Sequence, residues 1–280
     1  RPSGDRVKTD ANDAVHLARL LRLDEVTAVV VPSVGHEAAR DLSRAREDVR
    51  GDLMRARHRL SKLLLRHGVL YTGGKPWTLR HDDWLRAQSF TNRGTQTAFD
   101  AAYDTVLATS ARRDRLDAVI EEIAADSEFT AQVRRIACLR GISTLTAFAL
   151  VVELGDFTRF TGNTIGSFVG LVPSEHSSGA STSRGSITKA GNTHARRLLI
   201  EAAWHHRRPY LPSKTLQTRW AQSTPAAANR ADKGNRRLRH RWATFDARSK
   251  KTTVANTAVA RELAGWVWSL AIMEQPPSAG

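Results

Sequence analysis

Leu42, Val49, Ala56 and Leu63 recur every seven residues, and Leu53 and Leu60 sit four after Val49 and Ala56. An apolar seam with that spacing runs along one side of an α-helix and has to be covered by another helix. The spacing predicts one long helix over 36–70, stopped by Gly68. Arg46 falls where a further apolar residue is expected. A second long helix is predicted over 95–126, with Ala98, Ala102, Val106, Leu116, Val119 and Ile123 inward. Between them, 71–93 carries Gly73-Gly74, Pro76 and two tryptophans and reads as a loop with a short helix. Two long helices with a connector predict an antiparallel arm, which packs on its own protein or dimerises.

The flanking segments differ in character. Asp10 precedes a short amphipathic run through Ala14, Leu17, Ala18, Leu20 and Leu21, and Val26 to Val31 is a β-branched run closed by Pro32. A helix followed by a buried strand makes 1–35 an α/β piece. Residues 131–274 are predicted to be a mainly helical domain, ending in an amphipathic helix through Val254, Ala258, Leu263, Trp266, Val267 and Leu270; 275–280 reads as a disordered tail. The fold class is therefore mainly α, divided at 1–35, 36–130, 131–274 and 275–280. The densest apolar run, 145–154, falls well short of the roughly 18 residues a bilayer span needs, and the N-terminus lacks the apolar core of a signal peptide. The single cysteine, Cys138, excludes an intramolecular disulfide and any cysteine-cluster metal site. A cytoplasmic location is expected.

The net charge of +15 is concentrated. Residues 184–251 hold 17 Lys and Arg against 3 Asp and Glu, whereas the rest of the chain holds 26 against 25. A local excess of this size suits a polyanion, because each neutralised phosphate releases a counterion. The bland alternative is a solvated basic loop.

Four segments could carry chemistry. In Lys8-Thr9-Asp10-Ala11-Asn12-Asp13-Ala14, Asp10 and Asp13 stand three apart at a helix start and can face one side, as Mg²⁺ ligands or as ordinary first-turn acids beside an N-cap. In 139–147, Gly141 sits in a turn between two helices, resembling a helix-hairpin-helix that grips phosphate through backbone N–H groups, or an ordinary packing turn. The segment from Gly170 to Gly179 is a Ser/Gly-rich polar loop, followed by Arg184 to Asn192 and then Arg196-Arg197. Here Ser178 or its neighbour Ser177 could attack phosphorus, with Lys189, Arg196 and Arg197 neutralising phosphate. A plain flexible loop is the alternative. Arg236, Arg237, Arg239 and Arg241 with Trp242 suit a nucleic-acid surface, unless Trp242 is simply buried. His205-His206 with Glu201 is read as surface or phosphate contact rather than as a metal site.

The order Lys8-Thr9-Asp10-x-x-Asp13-Ala14, a helical arm, Leu139-x-Gly141-Ile142, Phe160, Gly170-Leu171-Val172-Pro173, Ser178-Gly179, Ile187-x-Lys189-x-Gly191-Asn192 and Arg197-x-Leu199 resembles the DEDD transposases of insertion-sequence family one-ten. The closing 259–264 and Trp268 also fit. The resemblance implies a RuvC-like domain with three Asp and one Glu binding Mg²⁺, a coiled-coil arm, and a C-terminal domain with a catalytic serine. It also implies DNA and a bridge RNA as partners, dimers formed through 36–130 that pair into tetramers, and a nucleoid-associated place in a bacterial cell. Asp10 and Asp13 match the last two carboxylates, and Ser178 matches the serine before glycine. The first Asp and the Glu would precede Arg1, so a truncated chain is expected, with 1–35 as the end of the RuvC-like domain. A nucleic-acid-binding remnant without catalysis is the alternative to a recombinase.

Overall fold

The computed structural model describes residues 9–25, 31–178 and 181–274, with the backbone alone at 176–178, 181, 182 and 184. The chain divides into two compact units, Arg1–Ser33 and Val34–Gly280. Of the first unit, the structure describes one helix, α1 (Asp10–Arg22). The Thr9 side chain accepts a hydrogen bond from the Asn12 N–H and caps it. Leu17 and Leu21 are exposed. The predicted strand, Val31 apart, lies outside the described residues, as does the predicted tail 275–280.

The second unit opens with the arm. Helices α2 (Val34–Arg66) and α4 (Arg93–Ala125) run antiparallel, linked through a short α3 (Leu79–Arg86). The predicted seam is the one used: Val49, Leu53, Ala56, Leu60 and Leu63 are all buried, and Gly68 takes a positive φ of 70° just beyond α2. Towards the far end, Leu53 to Leu64 pack with Leu85, Phe99, Tyr103 and Val106. Burial of side chains this size is worth roughly 1.5–3 kcal/mol each. Arg46, the exception in the heptad, meets Asp117 of α4 through two hydrogen bonds of 2.6 and 3.2 Å. A charged layer thus replaces an apolar one without leaving a group unpaired. The inward face of α4 differs from expectation. Phe99, Tyr103, Ile120 and Ala124 are buried, whereas Ala98 and Val119 are exposed. Aromatic side chains offer far more apolar area than alanine, so the helix turns to bury them. The seam is therefore covered within one chain by α4.

At its base the arm packs on the second core. Helices α5 (Thr130–Ile136), α6 (Thr144–Leu154) and α7 (Thr164–Phe168) lead to a hairpin of β1 (Pro173–Ser178) and β2 (Ser181–Ile187). Helices α8 (Thr193–Ala203), α9 (Lys214–Ala221), α10 (Pro225–Ala247) and α11 (Thr252–Ala271) follow. The dense apolar run is α6, buried from Ala147 through Leu154, which explains a helix without a polar stripe. Side chains of Ser143, Asn192, Ser213 and Thr224 cap α6, α8, α9 and α10, each worth about 1 kcal/mol. Alanines 255, 260, 264 and 271 on α11 let its neighbours approach closely. Arg135 is buried and donates to the Leu270 and Ala271 carbonyls, closing the end of α11. Among the described residues no helix is long and apolar enough to cross a membrane.

His206, in the 3₁₀ turn Trp204–Arg207 after α8, is fully buried. Burial, helped by the Arg140 guanidinium, pushes its pKa down to about 3. A histidine depressed from its ordinary value near 6.5 binds its proton in the unfolded chain first, so stability falls as pH drops from about 6.5 towards 3, by about 1.4 kcal/mol per pH unit. His206→Leu is expected to melt at the same temperature or higher at pH 7 and to gain several degrees over the natural chain at pH 5. A larger loss at pH 5 than at pH 7, in thermal melts, would contradict this.

Candidate nucleic-acid site

The Ser/Gly segment expected as a loop is the β1–β2 hairpin. Its register pairs Pro173 with Ile187, Glu175 with Arg184, Ser177 with Thr182 and Ser178 with Ser181, with an irregularity between Pro173 and Glu175. Ser178 is the last residue of β1, next to the turn. The side chains of Ser177 and Ser178 lie outside the described residues.

The opposite end of the hairpin is clamped. The Thr188 N–H donates to the Val172 carbonyl at 2.9 Å and the Lys189 N–H to that of Gly170 at 3.2 Å. Gly170 (φ 67°) faces the Lys189–Ala190 backbone so closely that a Cβ would lie 2.5 Å from the Ala190 nitrogen. Gly191 (φ 68°) lies as closely against the Phe168 carbonyl. The two glycine motifs, 21 residues apart, are thus two halves of one backbone contact. Lys189 itself holds a left-handed φ of 55°.

Arg196, expected to neutralise phosphate, is 8% exposed. Its guanidinium donates to the carbonyls of Val169 (3.0 Å) and Ala190 (2.8 Å) and to the Thr193 hydroxyl (3.1 Å). It ties both sides of the clamp together instead of reaching outward. The Lys189 side chain is exposed and, among the described residues, makes no hydrogen bond or ion pair. Arg197 forms ion pairs with Glu47 of α2 at 2.6 Å and Glu201 at 2.7 Å.

Beside this clamp sits a network that ties Glu153, in the segment that follows the Gly141 turn motif, to Asn192 and to two residues not singled out in the sequence, Arg44 and His194. Glu153 is 6% exposed and closes the buried face of α6. It accepts two hydrogen bonds from Arg44 of the arm (3.0 and 3.1 Å), one from Asn192 (2.6 Å), and lies 3.3 Å from His194 Nδ1. Burial alone would raise its pKa. The bonds from His194, Arg44 and Asn192 outweigh burial and bring it down to about 2. Asn192 in turn caps α8 through the Ala195 N–H at 2.8 Å. The clue in the sequence is a single carboxylate ending a dense apolar run, because a buried charge must be paired.

The expected basic surface lies on α10. Arg236 pairs with Asp232 at 2.8 Å, while Arg237 and Arg241 share Glu262 at 2.9 and 3.5 Å. All three arginines are exposed, and exposed pairs of this kind are worth at most about 1 kcal/mol, so a phosphate can replace the carboxylate. Arg239 donates to the Arg207 carbonyl. Trp242, read as a base-stacking residue or as core, is core: it is fully buried and its indole N–H donates to the Ala203 carbonyl at 3.1 Å. The helix-hairpin-helix-like turn binds its own protein. A Cβ on Gly141 (φ 85°) would lie 2.5 Å from the Ala202 carbonyl, and the Arg140 N–H donates to Asn235.

Asp10 and Asp13 both stand in the first turn of α1. Two carboxylates on one turn suit a hard cation in donor chemistry and fall short in number. Among the described residues no group of three or more His, Cys, Asp and Glu could hold a metal.

Comparison with known proteins gives the class of protein in which this clamp, serine hairpin and basic helix occur together. The sequence pattern of the "Transposase IS116/IS110/IS902 family" matches residues 133–215, which hold the turn, the hairpin and α8. The chain is 40% identical over 272 residues to y4qE of Sinorhizobium fredii, provisionally named a transposase, covering 97% of this chain and 66% of that one. It is 33% identical over 263 residues to the transposase for insertion sequence element IS1533 of Leptospira borgpetersenii, covering 90% of this chain and 74% of that one. The chain belongs to the IS116/IS110/IS902 family of insertion-sequence transposases.

Proposed function

We propose that this chain is the arm and serine-bearing part of a DNA recombinase that moves an insertion sequence, with Ser178 as nucleophile and Ser177 as its alternative. The observation that carries the reading is the clamp. The family-matched residues Gly170, Gly191 and Arg196 are all used to hold the base of a hairpin whose far end carries Ser178. A rigid base presents the serine to a phosphodiester at little cost in ordering.

In the proposed step the Ser178 oxygen forms a bond to phosphorus, the P–O bond to one deoxyribose breaks, and that oxygen leaves as a hydroxyl carrying a proton. The phosphoserine link conserves the bond energy, and attack by a second deoxyribose hydroxyl reverses the step and frees the serine. Lys189 and, by exchanging carboxylate partners for phosphate, Arg197, Arg236, Arg237 and Arg241 bind the DNA backbone. Arg196 acts as a positioning residue. Asp10 and Asp13 are proposed to supply two oxygen ligands to Mg²⁺, which when bound would stabilise charge on the phosphoryl oxygens. A guide RNA from the element and assembly through the arm are part of the same proposal.

The test uses the chain extended to the length of its relatives, with labelled element-end DNA, element RNA and Mg²⁺. A denaturation-resistant protein–DNA adduct is expected, lost in Ser178→Ala and kept in Ser177→Ala. An adduct that survives Ser178→Ala and disappears in Ser177→Ala would move the nucleophile by one residue. Salt-dependent DNA binding with no adduct in any form would favour a binding protein without catalysis.

A further inference from the structure

Between the base of the hairpin and helices α10 and α11 lies an open cleft of about 960 Å³, within the range that nucleotide-sized ligands occupy. Ser186 and Ile187 of β2 form one wall; Trp266 and Trp268 of α11 form another. Arg230, Arg241 and Arg261 also line it and are exposed. Among the described residues the one carboxylate in the lining is Glu262, already engaged by Arg237 and Arg241. The Arg261 side chain makes no hydrogen bond or ion pair among the described residues, and its stem rests against Gly166. Arg230 lies 5.7 Å from the centre of the Trp266 ring and donates to the Ser269 hydroxyl. The indole seats on α10 because position 234 is glycine: a Cβ there would lie 2.8 Å from the ring.

We propose that this cleft takes an unpaired nucleotide, its base against Trp266 and Trp268 and its phosphate on Arg261 and Arg230; the proposal rests on the nucleic-acid reading above. Aromatic walls alone would suit an apolar peptide equally well. Three arginines against one already paired carboxylate select a polyanion, and a flat indole among guanidinium groups is how proteins hold single-stranded nucleotides without reading sequence. A paired base cannot enter, since its faces are covered by its neighbours in the stack. The cleft adjoins the strand that follows Ser178, so a nucleotide drawn out of the duplex here would anchor the strand beside the hairpin.

The probes are fluorescein-labelled DNA duplexes of one sequence, flush or with a two-nucleotide bulge, and the matching RNA pair, titrated with the chain at two salt concentrations. The bulged probe is expected to bind roughly tenfold tighter than the flush one, and the preference is expected to vanish in both Trp266→Ala and Arg261→Ala. Circular dichroism melts check each variant; Arg261 is exposed, so its substitution keeps the test valid should Trp266→Ala unfold. The DNA and RNA pairs tell which strand supplies the nucleotide. Equal, salt-sensitive binding of flush and bulged probes would overturn the cleft and leave the nucleic-acid reading standing. A bulge preference that survives Arg261→Ala and a folded Trp266 variant would also overturn it. No salt-dependent binding to any probe would overturn both readings.

Discussion

Gly191→Ala is expected to lower stability by at least 3 kcal/mol, about 6–12 °C in melting temperature for a unit of this size. Two costs combine. An alanine at φ 68° sits in the left-handed region, worth roughly 1–2 kcal/mol. Its Cβ would also overlap the Phe168 carbonyl, which is backbone and cannot rotate aside. Relief requires α7 to move off 189–192, and that opens the base of the hairpin. Gly68 separates the two costs. Its φ is 70°, yet nothing lies within 4 Å of a Cβ there, so Gly68→Ala carries the dihedral cost alone. Thermal melts of the two variants should differ by several degrees; equal shifts would mean that the contact between the glycine motifs is not a tight one.

Glu153→Leu is expected to cost about 3 kcal/mol at pH 7, because it strands Asn192 and His194 without their acceptor. Arg44 rehydrates more easily, since its side chain is 56% exposed. Glu153→Gln keeps the shape, loses the charge, and should cost less. The pH dependence distinguishes this from a packing defect. A carboxylate held near 2, below its ordinary value of about 4.5, stabilises the fold above pH 4.5 and loses that contribution as pH falls from 4.5 towards 2. At about 1.4 kcal/mol per pH unit this is at most about 3.5 kcal/mol. The natural chain should therefore destabilise steeply between pH 4.5 and 2, and Glu153→Gln should be flatter there. Parallel curves in denaturant titrations would show that Glu153 is not the titrating anchor. The slope between pH 6.5 and 4.5 comes from the histidines whose pKa burial lowers, His206 and His81, and should be unchanged in Glu153→Gln.

Both predictions concern the same feature, the base of the β1–β2 hairpin. Glu153 orients Asn192, Asn192 caps α8, and α8 supplies Arg196, which holds the clamp with Gly170 and Gly191. Loss of either end should weaken presentation of the hairpin without removing any group proposed to touch DNA.

Much of this was legible in the amino-acid order because it depends on neighbours in sequence. The heptads of α2, the stop at Gly68, the N-cap beside Asp10 and the basic character of 236–241 all act within a few residues of themselves. The motif order was enough to indicate the family. Other features were set by contacts between segments far apart in the chain. The Ser- and Thr-rich hairpin has no alternating apolar pattern, so only the pairing of 173–178 with 181–187 makes it a sheet. Arg196 and Trp242 look like exposed nucleic-acid contacts in a basic stretch, yet tertiary packing buries both. Glu153 gains its low pKa from Arg44, 109 residues earlier, and from Asn192, 39 residues later. The sequence by itself determined which segments become helices, because local periodicity and capping decide that. Only the tertiary structure decided which charges face solvent, because burial is a property of what another segment covers.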